Sequence, residues 1–483
     1  MFFARTLLFL LAAHIAFAQD KPKVHKIGGV TVTGSVRTRI ESWDWFEPNS
    51  GDPSYTFSGS TLRLNLSQAK EKFSWSTEFA VPILLNLPDN AVAPGAQGAL
   101  GIGANYFTAN NRTSNVAMFF PKQAWVQWKT SAGQFRVGRV EFADGSETAP
   151  KNSTLAALKT TRINMRLIGH FGWTHVGRSF DGLLYSKTRA KDQFTFLGAI
   201  PTRGVFQTDG WGWNQAALGY AAYTKPWGKG THTADTRLFA LYYQDWRTNV
   251  LKTDNRSAAA RNADRANVAV TTFGGHSIHA IDTKPATFDI LFWGAAQTGR
   301  WGIQNHRAYA FDAESGFQPK AKALLKLKPW IRGGYGQSSG DGNTADGTHN
   351  TFFQVLPTPR PFARFPFFNM MNNRDVYAGV TLRPHARLSI SNEFHGLSLA
   401  NRNDLWYVGG GVFQPWSFGY VGRGTGGARS LANLYDTSVD IKINPAVSLN
   451  VYYGHAQGLA AIQSIYPKGR SGNLGYIELM YKF

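Results

Sequence analysis

A two-residue period recurs along almost the whole chain, broken by gaps that alternate in length, and this narrows its folds more than any other feature. Segments with this apolar-polar alternation lie at 28–42, 60–70, 73–81, 122–130, 133–141, 179–188, 193–200, 213–225 and 235–245. They continue at 270–282, 285–297, 306–317, 327–337, 375–383, 386–397, 434–444, 446–457 and 473–483, eighteen in all. Short gaps such as Glu71-Lys72, Ser131-Ala132, Thr283-Lys284 and Pro384-His385 follow even-numbered segments. Long gaps (43–59, 82–121, 142–178, 246–269, 338–374, 398–433, 458–472) follow odd-numbered ones. Strands of ~9–11 residues with short turns at one end and long loops at the other are what a membrane-crossing sheet requires. The fold class expected is therefore all-β: a transmembrane antiparallel β-barrel of about eighteen strands, with short periplasmic turns and long extracellular loops. Gaps at 201–212, 226–234, 298–305 and 318–326 fit neither length class, so sixteen and twenty strands remain alternatives.

Both ends agree. Ile477, Leu479, Tyr481 and Phe483 share one parity and Glu478 and Lys482 the other, giving one face for lipid and one for water. At the other end, Phe2, Phe3 and Arg5 precede the apolar stretch Leu7 to Phe17, which closes on Ala16-Phe17-Ala18. That order predicts a secretory signal peptide over 1–18 and a barrel over 19–483. Secretion plus a barrel pattern places the protein in the bacterial outer membrane. Only Gln19 to Ile27 precede the first segment, too little for the plug of an energised receptor.

The net charge is +21, and the chain has no cysteine. For an exported chain this excludes disulfides and thiolate chemistry, and it points to a small or polymeric anion rather than nucleic acid as the partner. Basic rims touching outer-membrane lipid and lipopolysaccharide would account for part of the excess. A charge on the lipid face costs about 2–4 kcal/mol at mid-depth, so arginines on the polar parity should face the lumen. Arg37, Arg39 and Arg63 meet that test, and Arg136, Arg332 and Arg387 are further candidates. Arg237 and Arg307 share parity with apolar neighbours, Phe239 and Leu241 in one case and Tyr309 and Phe311 in the other, which argues against them. Glu41, Glu78, Asp289, Asp312, Glu393, Asp440 and Glu478 could pair with the inward arginines. Basic residues outnumber acidic ones, 51 to 30, so a field favouring anions should survive such pairing.

Several stretches resemble the alginate-export family of outer-membrane barrels. They are Arg136-Val137-Gly138-Arg139, Arg166-Leu167-Ile168-Gly169, Arg178-Ser179-Phe180-Asp181-Gly182, Ser339-Gly340-Asp341, and the run from Thr351 to Thr358. The resemblance implies a monomeric barrel passing an acidic polysaccharide through an arginine-rich constriction. It places Arg63, Arg139, Arg166 and Arg178 at that constriction, with Asp181 as a countercharge. Arg166 takes part if the loop 142–178 folds inward. Arg139 takes part if Gly138 bulges the strand and turns it to the lumen.

Other motifs point to little chemistry. Gly422-x-Gly424-x-x-Gly427 has no βαβ unit around it, and Gly336 to Gly340 has the spacing of a nucleophile elbow without the helix that should follow. Ser67 and Lys70, three apart on a strand, point to opposite faces. Asp341, Asn343 and Asp346 resemble a calcium loop interrupted by Ala345, and His276 with His279 fits the wall better than a metal. The expectation is a channel with no cofactor and no metal, passing an anionic saccharide such as alginate, with periplasmic delivery proteins as further partners. A general anion-selective porin and an outer-membrane hydrolase are the alternatives.

Overall fold

The computed structural model describes residues 24–359 and 362–483, so the expected leader lies outside the described residues. Eighteen long strands form the wall. The first nine are β1 (Val30–Asp44), β2 (Ser54–Ala69), β3 (Phe73–Leu85), β4 (Phe120–Thr130), β5 (Gly133–Val140), β6 (Phe180–Arg189), β7 (Asp192–Pro201), β8 (Ala216–Lys229) and β9 (His232–Asp245). Then follow β10 (Val268–Asp282), β11 (Ala286–Trp301), β12 (Gln304–Pro319), β13 (Trp330–Ser338), β14 (Asn373–His385), β15 (Leu388–Leu399), β16 (Ser430–Lys442), β17 (Val447–Gly458) and β18 (Ser471–Lys482). Each pairs antiparallel with its chain neighbours, and β18 pairs with β1 from Asn473↔Asp44 to Lys482↔Ser35, so no edge is left open. Phe483 completes the seam: its amide and carbonyl exchange hydrogen bonds with Gly34 (3.0 and 2.8 Å). A Cβ on Gly34 would come within 2.4 Å of the Phe483 ring, so only glycine allows that closure.

The intermediate gaps resolve in two ways. Residues 202–215 form a long outer loop, while β8 and β9 extend until only Gly230-Thr231 separates them. Two depart from the length rule: β11 and β12 meet through Gly302-Ile303 at the outer end, and ten residues with a short 3₁₀ turn (Lys322–Leu324) join β12 to β13 at the inner end. Leu62, Leu64, Phe196, Leu238, Phe273, Phe292, Val376 and Ile477 are exposed on the outward parity, where they meet lipid.

The bore is not empty. Trp43, Trp45, Phe46, Phe365, Phe367, Trp406 and Tyr466 pack together in its extracellular half, with the helix Ile102–Ala109 beside them. The loop 141–179 runs deepest. Asn152 caps its short helix, Ser153–Leu158, by accepting from the amides of Thr154 and Leu155 (2.9 and 3.1 Å), and a π-type turn, Lys159–Ile163, follows. The loop 339–372 folds in alongside. Gly169 N donates to Leu356 O (2.7 Å), Leu356 N to Leu167 O (2.8 Å), and Thr358 N to Met165 O (3.0 Å). A Cβ on Gly169 would lie 2.3 Å from Thr358 Oγ1, so the two loops touch because one of them carries a glycine there.

Candidate functional site

The inward loop 141–179 is held by charge. Asp144 accepts from the amides of Leu167 and Ile168 (3.1 and 2.9 Å) and from Arg237 on β9 (3.3 Å), which also reaches Glu147 (3.2 Å). Lys159 pairs with Asp235 on β9 (3.2 Å) and Arg162 with Glu314 on β12 (2.6 Å), and Arg166 pairs with Asp312. On the opposite wall, Arg39 donates to the Trp173 carbonyl (2.6 Å), and Arg37 donates to the carbonyls of Gly172 and Thr174. Lys122 on β4 donates to the carbonyls of Val176 and Arg178 (both 3.0 Å). His175 stands 3.5 Å from the Glu41 carboxylate, opposite Gly59 on β2, where any Cβ would come within 2.2 Å of the imidazole.

Most expected arginines carry a carboxylate partner. Arg39 pairs with Glu41 and Glu478 (3.0 and 2.7 Å), and Arg63 with Glu78 and Glu141 (3.2 and 2.8 Å). Arg332 reaches Glu314 (2.7 Å) and Asp289. Arg37 is 3.8 Å from Glu478. Of the seven acidic residues named from the sequence, six meet an arginine this way. Asp440 instead accepts from Asn450 (2.8 Å). Arg136 faces inward onto Gln127 (2.8 Å) and the Trp125 ring, with its guanidinium 4.0 Å from the ring centroid.

Arg178 differs from all of these. It is fully buried; its guanidinium donates to the carbonyls of Val412 and Gly410 (3.2 and 2.5 Å) and lies 5.6 Å from the Phe171 ring centroid, with no carboxylate partner among the described residues. Burial lowers its pKa to about 10, which leaves it charged at neutral pH.

Three placements correct the sequence expectations. Gly138 has φ of 125°, yet the register runs on unbroken through Trp125↔Gly138 and Ala124↔Arg139, so Arg139 stays on the outward parity with Val137. There it forms a two-point ion pair with Asp181 (2.7 and 2.8 Å) under the exposed indoles of Trp211 and Trp213, away from the lumen. Arg237 is fully buried and inward, because the inside of β9 also carries Phe239 and Leu241 against the loops. Arg387 lies in the β14–β15 turn, its side chain on the Ile443 carbonyl. Ser338 exchanges hydrogen bonds only with the Asn373 backbone, with no histidine among its described partners. Arg307, by contrast, faces outward with Tyr309, as its parity suggests.

Together these placements leave two recesses, one on each side of the loop crossing. The inner one, about 440 Å³, opens toward the periplasmic end and is lined by Arg37, Arg63, Arg364, Lys482, His170 and Trp173 among others. No Asp or Glu stands among its lining residues, because the carboxylates sit behind the guanidinium groups. The outer recess, about 290 Å³, is lined by Trp43, Trp45, Phe171, Phe206 and Phe413, with Arg423 as its single cation. Sequence reasoning missed Arg364. The signal was present in Phe362-Ala363-Arg364-Phe365-Pro366-Phe367-Phe368, a run too aromatic to remain in a solvated loop.

Among known proteins, the alginate export family model matches residues 105–464. No curated protein matches the chain. Solved outer-membrane proteins share its fold over nearly their whole length. OpdK of Pseudomonas aeruginosa with vanillate is 7% identical at a TM-score of 0.56, over 94% of this chain and 98% of that one. Acinetobacter baumannii OccAB2 is 10% identical at 0.56, over 95% and 98%. Pseudomonas aeruginosa OccK9 (OpdG) is 8% identical at 0.57, over 94% and 98%.

Proposed function

This chain belongs to the alginate export family, and from that premise we propose that its outer-membrane channel is a monomer selective for anions, with an acidic oligo- or polysaccharide as cargo. The observation that supports this reading most is the inner recess, whose lining includes four cations and no carboxylate. Arg37, Arg63, Arg364 and Lys482 raise the local concentration of anions there. Of the recess arginines, Arg37 and Arg364 stand farthest from a carboxylate (3.8 and 3.5 Å); Arg364 can bind a uronate carboxylate through its planar guanidinium fork, while Arg37, whose terminal nitrogens donate to the Gly172 and Thr174 carbonyls, adds its charge. Arg178, held by carbonyl dipoles alone, adds an uncancelled positive charge deeper in the path. Arg39, Arg136, Arg166 and Arg332 act mainly as braces, fixing the wall and the loop that set the width of the constriction.

The packed extracellular half favours a second reading, a porin for small carboxylates, since a polymer needs more room than the loops leave. Reversal potentials in a planar bilayer test the shared claim. The unmutated protein should pass anions over cations, and Arg37→Gln with Arg364→Gln should reduce that preference. Equal permeability in the unmutated protein would overturn it. Current block by uronates of increasing length separates the readings: block that strengthens with length supports the polysaccharide, and block by single carboxylates alone supports the porin.

A further inference from the structure

We propose that the outer rim between β11 and β14 holds a binding site for the phosphate groups of an outer-leaflet glycolipid. The wall changes construction at this point. β13 ends at Ser338, paired with Ala310, while β12 continues outward to Gln304. Ser339 exchanges hydrogen bonds with Tyr309 (2.8 and 2.9 Å), and farther out the short segment Thr348–His349 covers Asn305 and His306 in parallel. Between these two patches lies a recess of about 680 Å³, lined by Arg307, Tyr309, Gln337, Asn350, Arg374 and Asn401 among others.

Its cations face lipid. Arg307 shares the outward parity of Tyr309, which is 46% exposed, and Arg374 that of Val376, which is 56% exposed. Arg300, exposed on β11, adds a third: Thr298 is the cross-strand partner of Arg307, and Arg300 stands two residues farther out. None of the three side chains has a hydrogen bond or ion pair among the described residues, in contrast to the inward arginines. The Nε of Arg374 is buried with no acceptor. The amides around them are partly engaged: Gln337 donates to the Tyr309 hydroxyl (2.8 Å), Asn401 Oδ1 accepts from the Asn403 amide (3.0 Å), and Asn350 hydrogen-bonds the Asp341 carboxylate.

Depth decides what can satisfy them. Arg300, Arg307 and Arg374 each lie within three residues of the outer end of their strand, roughly 10 Å at ~3.4 Å per residue. That is headgroup level, where the cost of an outward arginine falls to about 0–1 kcal/mol and anionic headgroups supply partners. Arginine binds phosphate oxygens through two parallel N–H bonds, and Asn401, whose Oδ1 is taken by the Asn403 amide, can donate from Nδ2 to an adjoining sugar hydroxyl. A phosphorylated glycolipid matches this combination of dispersed cations, amides and an adjacent acyl-facing wall of Phe311 and Val376.

The test is lipid retention by the intact barrel in neutral detergent, followed by native mass spectrometry with diphosphorylated lipid A, its dephosphorylated form, or inorganic pyrophosphate. Heat-modifiable gel mobility confirms that each variant is closed. The unmutated protein should retain diphosphorylated lipid A at least tenfold better than the dephosphorylated form. Arg307→Gln with Arg374→Gln should lose that preference, and Lys129→Gln at the opposite rim should keep it. Equal retention of the two lipids, or undiminished retention by the double variant, would overturn the site. Displacement of the lipid by equimolar pyrophosphate would also overturn it, by showing that soluble phosphate and not the glycolipid is the ligand.

Discussion

The two recesses on either side of the loop crossing share β1 and the loop 141–179 and yet are chemically opposite. The inner one presents Arg37, Arg63, Arg364 and Lys482, and the outer one mostly aromatic rings with Arg423. The difference lies in where the counterions go. Below the crossing, Glu41, Glu78, Glu141 and Glu478 stand behind the arginines and fix them without covering them. Above it, Arg423 is consumed by the Tyr466 hydroxyl and lies 5.0 Å from the Trp406 ring, so its charge serves packing. A lumen can therefore be rich in arginine throughout and still offer a cationic surface at one level only.

The largest effect should come from stripping the inner recess. Arg37→Gln with Arg364→Gln removes two of its four cations and should roughly halve the logarithm of the anion-to-cation permeability ratio in bilayer recordings. Next should come Asp144→Ala, which takes one of two carboxylates from the buried Arg237, leaving Glu147, and removes the acceptor of two loop amides. Breaking a buried pair outright costs about 3–5 kcal/mol, and this variant should cost less than that; the loop should still loosen, conductance should rise, and trypsin should cut near Lys159. A smaller effect should follow pH. Burial lowers the pKa of His175 to about 4, below the ordinary value of 6.5, so folding favours the neutral ring. Its contribution to loop stability is complete above pH 6.5 and is lost as pH falls toward 4, and gating noise should rise over that window. Least of all, Arg423→Gln in the outer recess should leave the permeability ratio unchanged while lowering the melting temperature. A change in ratio as large as that of the inner double variant would erase the distinction between the recesses.

The wall was legible because a lipid face and a wet face impose a strict two-residue period, and all eighteen alternating segments coincide with strands. Legibility failed where the inside of the wall is also apolar. On β9, Phe239 and Leu241 look like lipid-facing residues, but they pack against loops inside the bore, so parity alone misplaces Arg237. Arg139 was misplaced for the converse reason: the charge faces outward because Asp181, one strand away, neutralises it. The placements of Arg166 and Arg178 depend on a loop whose path no local pattern states. Arg364 was hidden because it lies in the long gap 338–374, where no strand parity says which way a side chain faces.

The loop 141–179 also bears on how the molecule is made. Its ties reach β1 through Arg39, β9 through Asp144, and β12 through Arg162 and Arg166, walls that face one another only once the cylinder exists. Threading so many charges into a finished cylinder would mean shedding their water one by one in a narrow space. The loop must instead be gathered in as the sheet curls, so that assembly of the wall and installation of its occlusion are a single event.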